Sequence, residues 1–322
     1  MPFTHLRHAQ NAANAARGAM SGYYALAQHF GWALAQLFVE RGHPRVIILE
    51  DDLAIAGDFF DYFSAVEPLL DEDASLLAAS AWNDLGQEAF IDAAAPAAVH
   101  RSDFFGGLGW MMSRHVWEEL GPKWPDSFWD DWLREPAQRR GRAFLRPGIS
   151  RSATFGVQGV SHAQFFEQYL GSVVLSSAAV DWAREDLRYL DKVSRRGGAP
   201  PAAAAAAFRQ LLPRPPLPPP PFLHPQPTYD AALARDVAAA RVVPYDSLAT
   251  ARCSEPGEAL RTNYRGLDVT GGYAPLARAF GFIDDAKAGV PRMAYRGVTA
   301  VVHNGCRKFL VDAELEGILD RP

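Results

Sequence analysis

Three carboxylates stand in a row at Glu50, Asp51 and Asp52, directly after the aliphatic run Val46-Ile47-Ile48-Leu49. Like charges this close repel one another, so the cluster is costly unless water or a cation compensates it. Binding a metal or a nucleotide is the chemistry such a cluster suits. The aliphatic run predicts a strand buried on both faces of a parallel sheet. Ligands of open α/β sheets bind at the carboxyl ends of the strands, which is where the cluster falls. A plainer alternative has Asp51 or Asp52 capping the next helix. That helix, however, has a start of its own at Gly57-Asp58.

A second carboxylate pair, Asp130-Asp131, is set among Trp124, Phe128, Trp129 and Trp132 and followed by Arg134. Apolar surroundings raise a carboxylate's pKa and a nearby cation lowers it, a setting that suits a general base. Aromatic faces also suit the apolar faces of sugar rings. The alternative is a helix start with Asp130 as its cap and the tryptophans as core, and both readings stay open. The stretch Phe104-Phe105-Gly106-Gly107-Leu108-Gly109-Trp110 predicts close backbone approach to another strand or to a ligand. It lacks the full dinucleotide fingerprint and is not a Rossmann cofactor loop. Gly156 and Gly159, followed by Ser161 at a predicted helix start, could offer backbone donors to phosphate. Ser161 could equally be a plain N-cap for a helix through Phe165, Phe166, Tyr169 and Leu170. His29 sits in an apolar helical stretch, where packing and function are both open.

These residues must be positioned by a chain of 322 residues, long enough for one large or two modest domains. A net charge of −5 argues against a nucleic-acid partner held by its phosphates. No apolar run reaches the ~18 residues that span a bilayer, and the amino terminus has no signal-peptide pattern. Cys253 and Cys306 neither demand a disulfide framework nor fit a zinc site. Apolar periodicity predicts a buried helix before Val46, a helix over Phe59 to Leu70 and a short one over Val116 to Leu120. Core strands are predicted at Leu76 to Ser80 and at Met111-Met112. From Arg195 to Pro227 six consecutive alanines and a proline-dense tract predict a disordered or polyproline insert. Beyond it, strands at Tyr264 to Leu267 and Val298 to Val302, with a helix over Tyr273 to Phe280 stopped by Gly281, predict a small α+β module. The expected division is a catalytic domain over 1–192, the insert over 193–228 and the module over 229–322.

In one order the chain carries Leu49-Glu50-Asp51-Asp52, Ser80-Ala81-Trp82-Asn83-Asp84, Asp103-Phe104-Phe105 with Gly107-Leu108-Gly109-Trp110, and Lys123-Trp124-Pro125 with Phe128-Trp129-Asp130-Asp131-Trp132. Ile149-Ser150-Arg151, Thr154-Phe155-Gly156 and Gly159-Val160-Ser161-His162 follow. Gly289-Val290-Pro291-Arg292 and Ala294-Tyr295-Arg296-Gly297 extend the series. This set closely resembles the N-acetylglucosaminyltransferase I family, Golgi enzymes that begin hybrid and complex N-glycans. The resemblance implies an α/β fold of the GT-A (Rossmann-like) glycosyltransferase type. It implies Mn²⁺-dependent inverting transfer of GlcNAc from UDP-GlcNAc to the 2-hydroxyl of an α1,3-linked mannose on a high-mannose N-glycan acceptor. By position, Asp52 matches the direct Mn²⁺ ligand, Asp51 a ribose contact and Glu50 a contact to the transferred sugar. Asp130 matches the general base, His29 a uridine-side contact and Ser161 a phosphate contact, while Leu108 and Trp129 match the lining of the sugar pocket. A hard cation among carboxylate and diphosphate oxygens would stabilise charge on the leaving UDP.

The chain also departs from the family. The resemblance implies that members begin with a cytoplasmic tail, a membrane anchor and a stem, then a first strand and neighbours that hold the uracil and a phosphate-contacting Arg. The expectation is therefore a type II Golgi-lumenal protein seen here as an amino-terminally truncated chain. Its first strands would be missing and the Val46 strand would expose an apolar edge. A family cysteine pair would fall at Ala78 and Phe144, and both partners are absent together, which leaves no orphan thiol. The family's acidic residue before Ile149 is Gly148 here. Two other functions stay open: a transferase acting on O-linked mannose of glycoproteins, separated only by its acceptor pocket, and a catalytically silent sugar- or partner-binding protein. Retention of every motif carboxylate favours activity in the parent protein, while the missing front favours inactivity of this polypeptide.

Overall fold

A computed structural model of the chain describes residues 3–9, 11–157, 160, 165–191 and 228–315. Ser161 and the insert expected over 193–228, Thr228 apart, lie outside the described residues. The strands before the insert are β1 (Arg45–Ile48), β2 (Leu53–Ile55), β3 (Leu76–Ser80), β4 (Val99–Ser102), β5 (Trp110–Ser113), β6 (Ala143–Pro147) and β7 (Ser152–Thr154). Five of them form a mixed sheet in the order β1-β5-β3-β6-β4, and β2 pairs with β7 as a separate ribbon. Only β3 and β6 run parallel in that sheet; the other pairings are antiparallel.

The expectation for the Val46 strand needs correcting. Strand β1 is an edge strand, antiparallel to β5, and Val46 is the single fully buried residue in it. Four aliphatic residues announce a strand, but they do not encode the direction of its partner or whether a second partner exists. The strand buried on both faces is β3, whose five residues are all buried. Ala78 on β3 and Phe144 on β6 are register partners, and both are fully enclosed. The two positions at which the resemblance placed a cysteine pair are thus filled by a small and a large apolar side chain packed side by side.

Helices cover both faces of this sheet, which is why its strands carry apolar residues in both directions. On one face α2 (Phe59–Glu72) buries Phe59, Tyr62, Phe63, Val66, Leu69 and Leu70. Its cluster includes Leu76, Ala79 and Met111. On the other face lie α1 (Ser21–Ala35), α3 (Arg114–Leu120) and α4 (Trp129–Arg134). They share a cluster with Leu77, Ala78, Trp110 and Met112. The alternation of Trp110, Met111 and Met112 between the two clusters is the period-two signature of a strand. A short helix α5 (Pro136–Arg139) leads into β6.

The second module contains α6 (Tyr229–Ala239), α7 (Tyr273–Phe280) and strands β8 (Arg241–Val242), β9 (Ala259–Tyr264), β10 (Ala286–Lys287), β11 (Val290–Pro291), β12 (Val298–His303) and β13 (Cys306–Asp312). Four of these strands form a sheet in the order β12-β13-β9-β8. Helix α7 spans the expected residues and ends at Gly281 with φ 88°, the left-handed stop that glycine accepts without strain. The strand expected over Tyr264 to Leu267 ends at Tyr264 instead. The helix expected through Phe165 to Leu170 makes one turn, with Tyr169 N–H donating to Phe165 O at 3.0 Å, and then breaks. There Gly171 lies against Phe166, where a Cβ would meet the backbone oxygen at 3.1 Å. Cys253 and Cys306 are joined as a disulfide, a pairing the sequence did not announce. The two modules are tied at Asp103, whose carboxylate accepts from Arg296 N–H at 2.6 Å and pairs with Arg139 at 2.5 Å.

Candidate active site

The acidic turn Glu50-Asp51-Asp52 links β1 to β2, and the ribbon formed by β2 and β7 folds the turn under the Gly156 loop. Leu53 pairs with Thr154 and Ile55 with Ser152, and Phe155 N–H donates to Asp52 O at 3.0 Å. This register brings Gly156 so near Asp52 that a Cβ on it would stand 1.9 Å from the carboxylate Oδ2. Glycine is therefore required here for clearance. The other carboxylate oxygen, Asp52 Oδ1, is buried and has no hydrogen-bond partner. Glu50 is half-buried beside it, and its pKa is pushed up to about 7. Burial is the largest cause, followed by the negative charges of Asp52, Asp130 and Asp51. Asp51 is exposed.

One aromatic contact joins this turn to the second acidic pair. Ile48, just before the turn, is the register partner of Trp110. Trp110 in turn stacks on Trp129, with ring centroids 5.5 Å apart and planes 20° apart. Trp129 also stacks on Trp124 at 5.9 Å and touches Phe30 of α1 at 4.4 Å. It is only 6% exposed. Its indole therefore fixes the start of α4 from inside the core. The entry to α4 turns sharply through Phe128 in the left-handed region, φ 48°. Asp130 and Asp131 then occupy the first helical turn, where the unpaired N–H groups favour negative charge. Neither is the cap that a purely structural reading of Asp130 required.

Arg134 anchors this pair. Its Nη1 reaches Asp130 Oδ2 at 2.9 Å and Asp131 Oδ1 at 2.7 Å, and its Nε donates to Phe105 O at 3.0 Å. Lys287, from the second module, stands 3.6 Å from Asp131 Oδ2. Asp131 thus answers two cations and Asp130 shares one. Both carboxylates remain open to solvent, at 44% and 40% exposure. The spacing of Arg134 from the two acids is the i,i+3 and i,i+4 spacing of helical ion pairs, so this contact was legible in the sequence. Lys287 had no such signal.

Leu108 lies in a run of three left-handed residues: Gly107 at φ 65°, Leu108 at φ 49° and Gly109 at φ 87°. All three carbonyls are pinned. Ser80 Oγ donates to Gly107 O at 2.6 Å, Ser152 Oγ to Leu108 O at 2.5 Å and Ala81 N–H to Gly109 O at 2.7 Å. The close approach expected of these glycines is therefore to β3 and β7, and it holds a leucine in a conformation costing roughly 1–2 kcal/mol. His29 is on the exposed side of α1, with its Nδ1 3.4 Å from that of His8 and its ring stacked on Trp32. Partial burial, and then the His8 charge, lowers its pKa. His29 is next in sequence to the Phe30 that packs on Trp129. Ser161 lies outside the described residues.

Among the described residues no group of three or more His, Cys, Asp or Glu could hold a metal on its own. The donor set that remains is one partly buried carboxylate with an unpartnered oxygen. It fits a hard cation whose other ligands are water and phosphate oxygens.

Two comparisons with known proteins bear on the family of this chain. The model of the GNT-I family matches residues 3–196 and 222–318. The chain is also 52% identical over 173 residues to "Alpha-1,3-mannosyl-glycoprotein 2-beta-N-acetylglucosaminyltransferase" of Arabidopsis thaliana. That stretch covers 54% of this chain and 38% of the relative, so the chain spans well under half the length of the curated protein it matches. With both acidic stretches and the aromatic link between them inside the matched region, the chain belongs to the GNT-I family.

Proposed function

We propose that this chain carries the donor and catalytic site of a GT-A glycosyltransferase that moves GlcNAc from UDP-GlcNAc to the 2-hydroxyl of the α1,3-linked mannose of N-glycans. The observation that carries this reading is the convergence of the two acidic stretches through the Trp110–Trp129 stack. The charge of Asp130 also acts on Glu50, which supports reading the two stretches as one site with a carboxylate for the metal and a carboxylate for the base. Asp52 would hold Mn²⁺ together with the donor diphosphate, and the cation supplies compensation for the charge that develops on the leaving UDP. Asp130 is open to solvent and aimed by Arg134, as a residue that meets an incoming hydroxyl must be. It takes the proton from the mannose 2-hydroxyl as that oxygen forms its bond to the anomeric carbon. The bond from that carbon to the diphosphate oxygen breaks in the same step, and UDP leaves with the electron pair. Attack from the side opposite the leaving group inverts the anomeric centre.

Glu50 and Asp51, which precede Asp52 in the acidic turn, would meet the donor's sugar and ribose hydroxyls. Leu108 and Trp129 would line the sugar pocket. Ser161 on the donor phosphates and His29 on the uridine side complete the assignment. The acceptor is a high-mannose N-glycan. A Golgi-lumenal setting accords with the Cys253–Cys306 disulfide, since such bonds persist in oxidising compartments. No described helix is long and apolar enough to cross a membrane. The test is calorimetric titration of UDP-GlcNAc with and without Mn²⁺. Binding is expected to be strong only with both present and to be lost in Asp52→Ala; undiminished Mn²⁺-dependent binding in that variant would sink the metal assignment.

A further inference from the structure

Away from the acidic turn, a cavity of about 240 Å³ lies where β4 and β6 of the first module meet β12 and β13 of the second. Arg146 lines it. This guanidinium is 6% exposed, and its Nε is buried with no hydrogen-bond partner. Its Nη1 makes a single long contact, to Pro147 O at 3.4 Å. Among the described residues no ion pair reaches it. Asp84, whose charge it feels, is already engaged by Trp82 Nε1 at 2.8 Å and Arg292 at 3.2 Å. A buried cation without a partner is strongly unfavourable, and it is the kind of group that calls for a counter-ion.

The surroundings define what that counter-ion is. His100 is the cross-strand partner of Arg146. Burial, then the charges of Arg146 and Arg307, pushes its pKa down to about 3, so it is a neutral imidazole with one N–H to give. Arg307, also in the lining, is paired with Asp236 at 2.6 Å and adds no free charge. Asp92 lines the cavity too and already accepts from Ala94 N–H at 3.0 Å. One unpaired cation with a carboxylate nearby favours a monoanion over a dianion. Phe90, Ala300 and Val301 make much of the remaining wall apolar. Gly148 also lines the cavity, where a Cβ would stand 3.3 Å from Ala98 Cβ and 3.5 Å from His100 Nε2, so a side chain at this position starts beside the imidazole. The volume is below the 300–1,000 Å³ typical of drug-sized ligands.

We propose that this cavity is a binding site for a small monocarboxylate, its two oxygens facing Arg146 and its short apolar end lying against Phe90 and Val301. A planar carboxylate matches the guanidinium fork, which a spherical halide does not. Bound at the junction of the two modules, it would stabilise their association.

The test is thermal unfolding of the full chain in a zwitterionic buffer, without metal or nucleotide. Sodium acetate and sodium propionate are compared with sodium chloride at equal ionic strength. The carboxylates should raise Tm saturably by about 2–4 °C beyond chloride. Gly148→Glu brings a carboxylate from the chain itself, so it should raise Tm without additive and abolish the response. Arg146→Met should abolish the response as well, and if it fails to fold, Gly148→Glu decides alone. No carboxylate-specific shift in the unaltered protein would overturn the proposal. So would a shift of equal size in the variants, which would place the anion elsewhere, such as the donor site.

Discussion

Gly156 and Asp52 are in steric register: the glycine covers the carboxylate so closely that even one methyl group would stand 1.9 Å from Oδ2. The contact arises from the β2–β7 ribbon, which pairs Leu53 with Thr154 and leaves the next residues of each strand face to face. It makes a loop glycine part of the geometry of the Asp52 carboxylate.

Gly156→Ala should therefore act at a distance from its own position. The methyl must push Asp52 or the loop aside, and displacement of about 1 Å at such a site costs about 10²-fold in rate. The expected outcome is a drop of that order in GlcNAc transfer, with weaker Mn²⁺-dependent donor binding. Donor binding equal to that of the unaltered protein would show that the carboxylate does not need its observed position.

His100 supplies a pH dependence. Its folded pKa, about 3, lies below the ordinary 6.5. Between those values the unfolded chain binds a proton that the folded one refuses, so stability present above pH 6.5 is lost as pH falls. From pH 7 to pH 5 the loss should be about 1–2 kcal/mol, read from urea midpoints in buffers free of carboxylates. His100→Phe should flatten this slope, and an unchanged slope would assign the acid sensitivity to other groups.

The Cys253–Cys306 bond closes a sequence separation of 53 residues. A cross-link of this span stabilises by about 2–4 kcal/mol through the unfolded state. Cys253→Ser, or reduction, should lower the stability of the second module by that amount. A loss below about 0.5 kcal/mol would mean that the loop is held by its packing alone.

Much of the architecture could be read from local pattern. Helix α2, strand β3 and helix α7 with its Gly281 stop all carry apolar periodicity that their own residues satisfy. Strand β1 shows the limit: its aliphatic residues announce extension, but its antiparallel pairing to β5 depends on Trp110 to Ser113, far along the chain. The β12–β13 hairpin did carry a signal, because Asn304-Gly305, at φ 55° and 69°, is the dipeptide that two-residue hairpins favour. Strand β13 was obscured by the charged Arg307-Lys308 at its start. Lys308 is in fact fully buried, with Nζ donating to Leu248 O at 2.9 Å and Ala249 O at 3.0 Å. At the site, both carboxylate groups stood out by residue type, whereas Leu108 came only with the family resemblance. The clearance role of Gly156 and the approach of Lys287 to Asp131 depend on tertiary register that no local spacing encodes.

The most direct test of the account separates two neighbours on the first turn of α4. Asp130 shares Arg134 and is proposed to take the proton from the attacking hydroxyl, whereas Asp131 is held by both Arg134 and Lys287. Turnover of UDP-GlcNAc onto a mannose-terminated acceptor should fall about 10²–10⁴-fold in Asp130→Asn, with Mn²⁺-dependent donor binding retained. Asp131→Asn should cost far less. Normal turnover in Asp130→Asn, or a larger loss in Asp131→Asn, would contradict the assignment of the base.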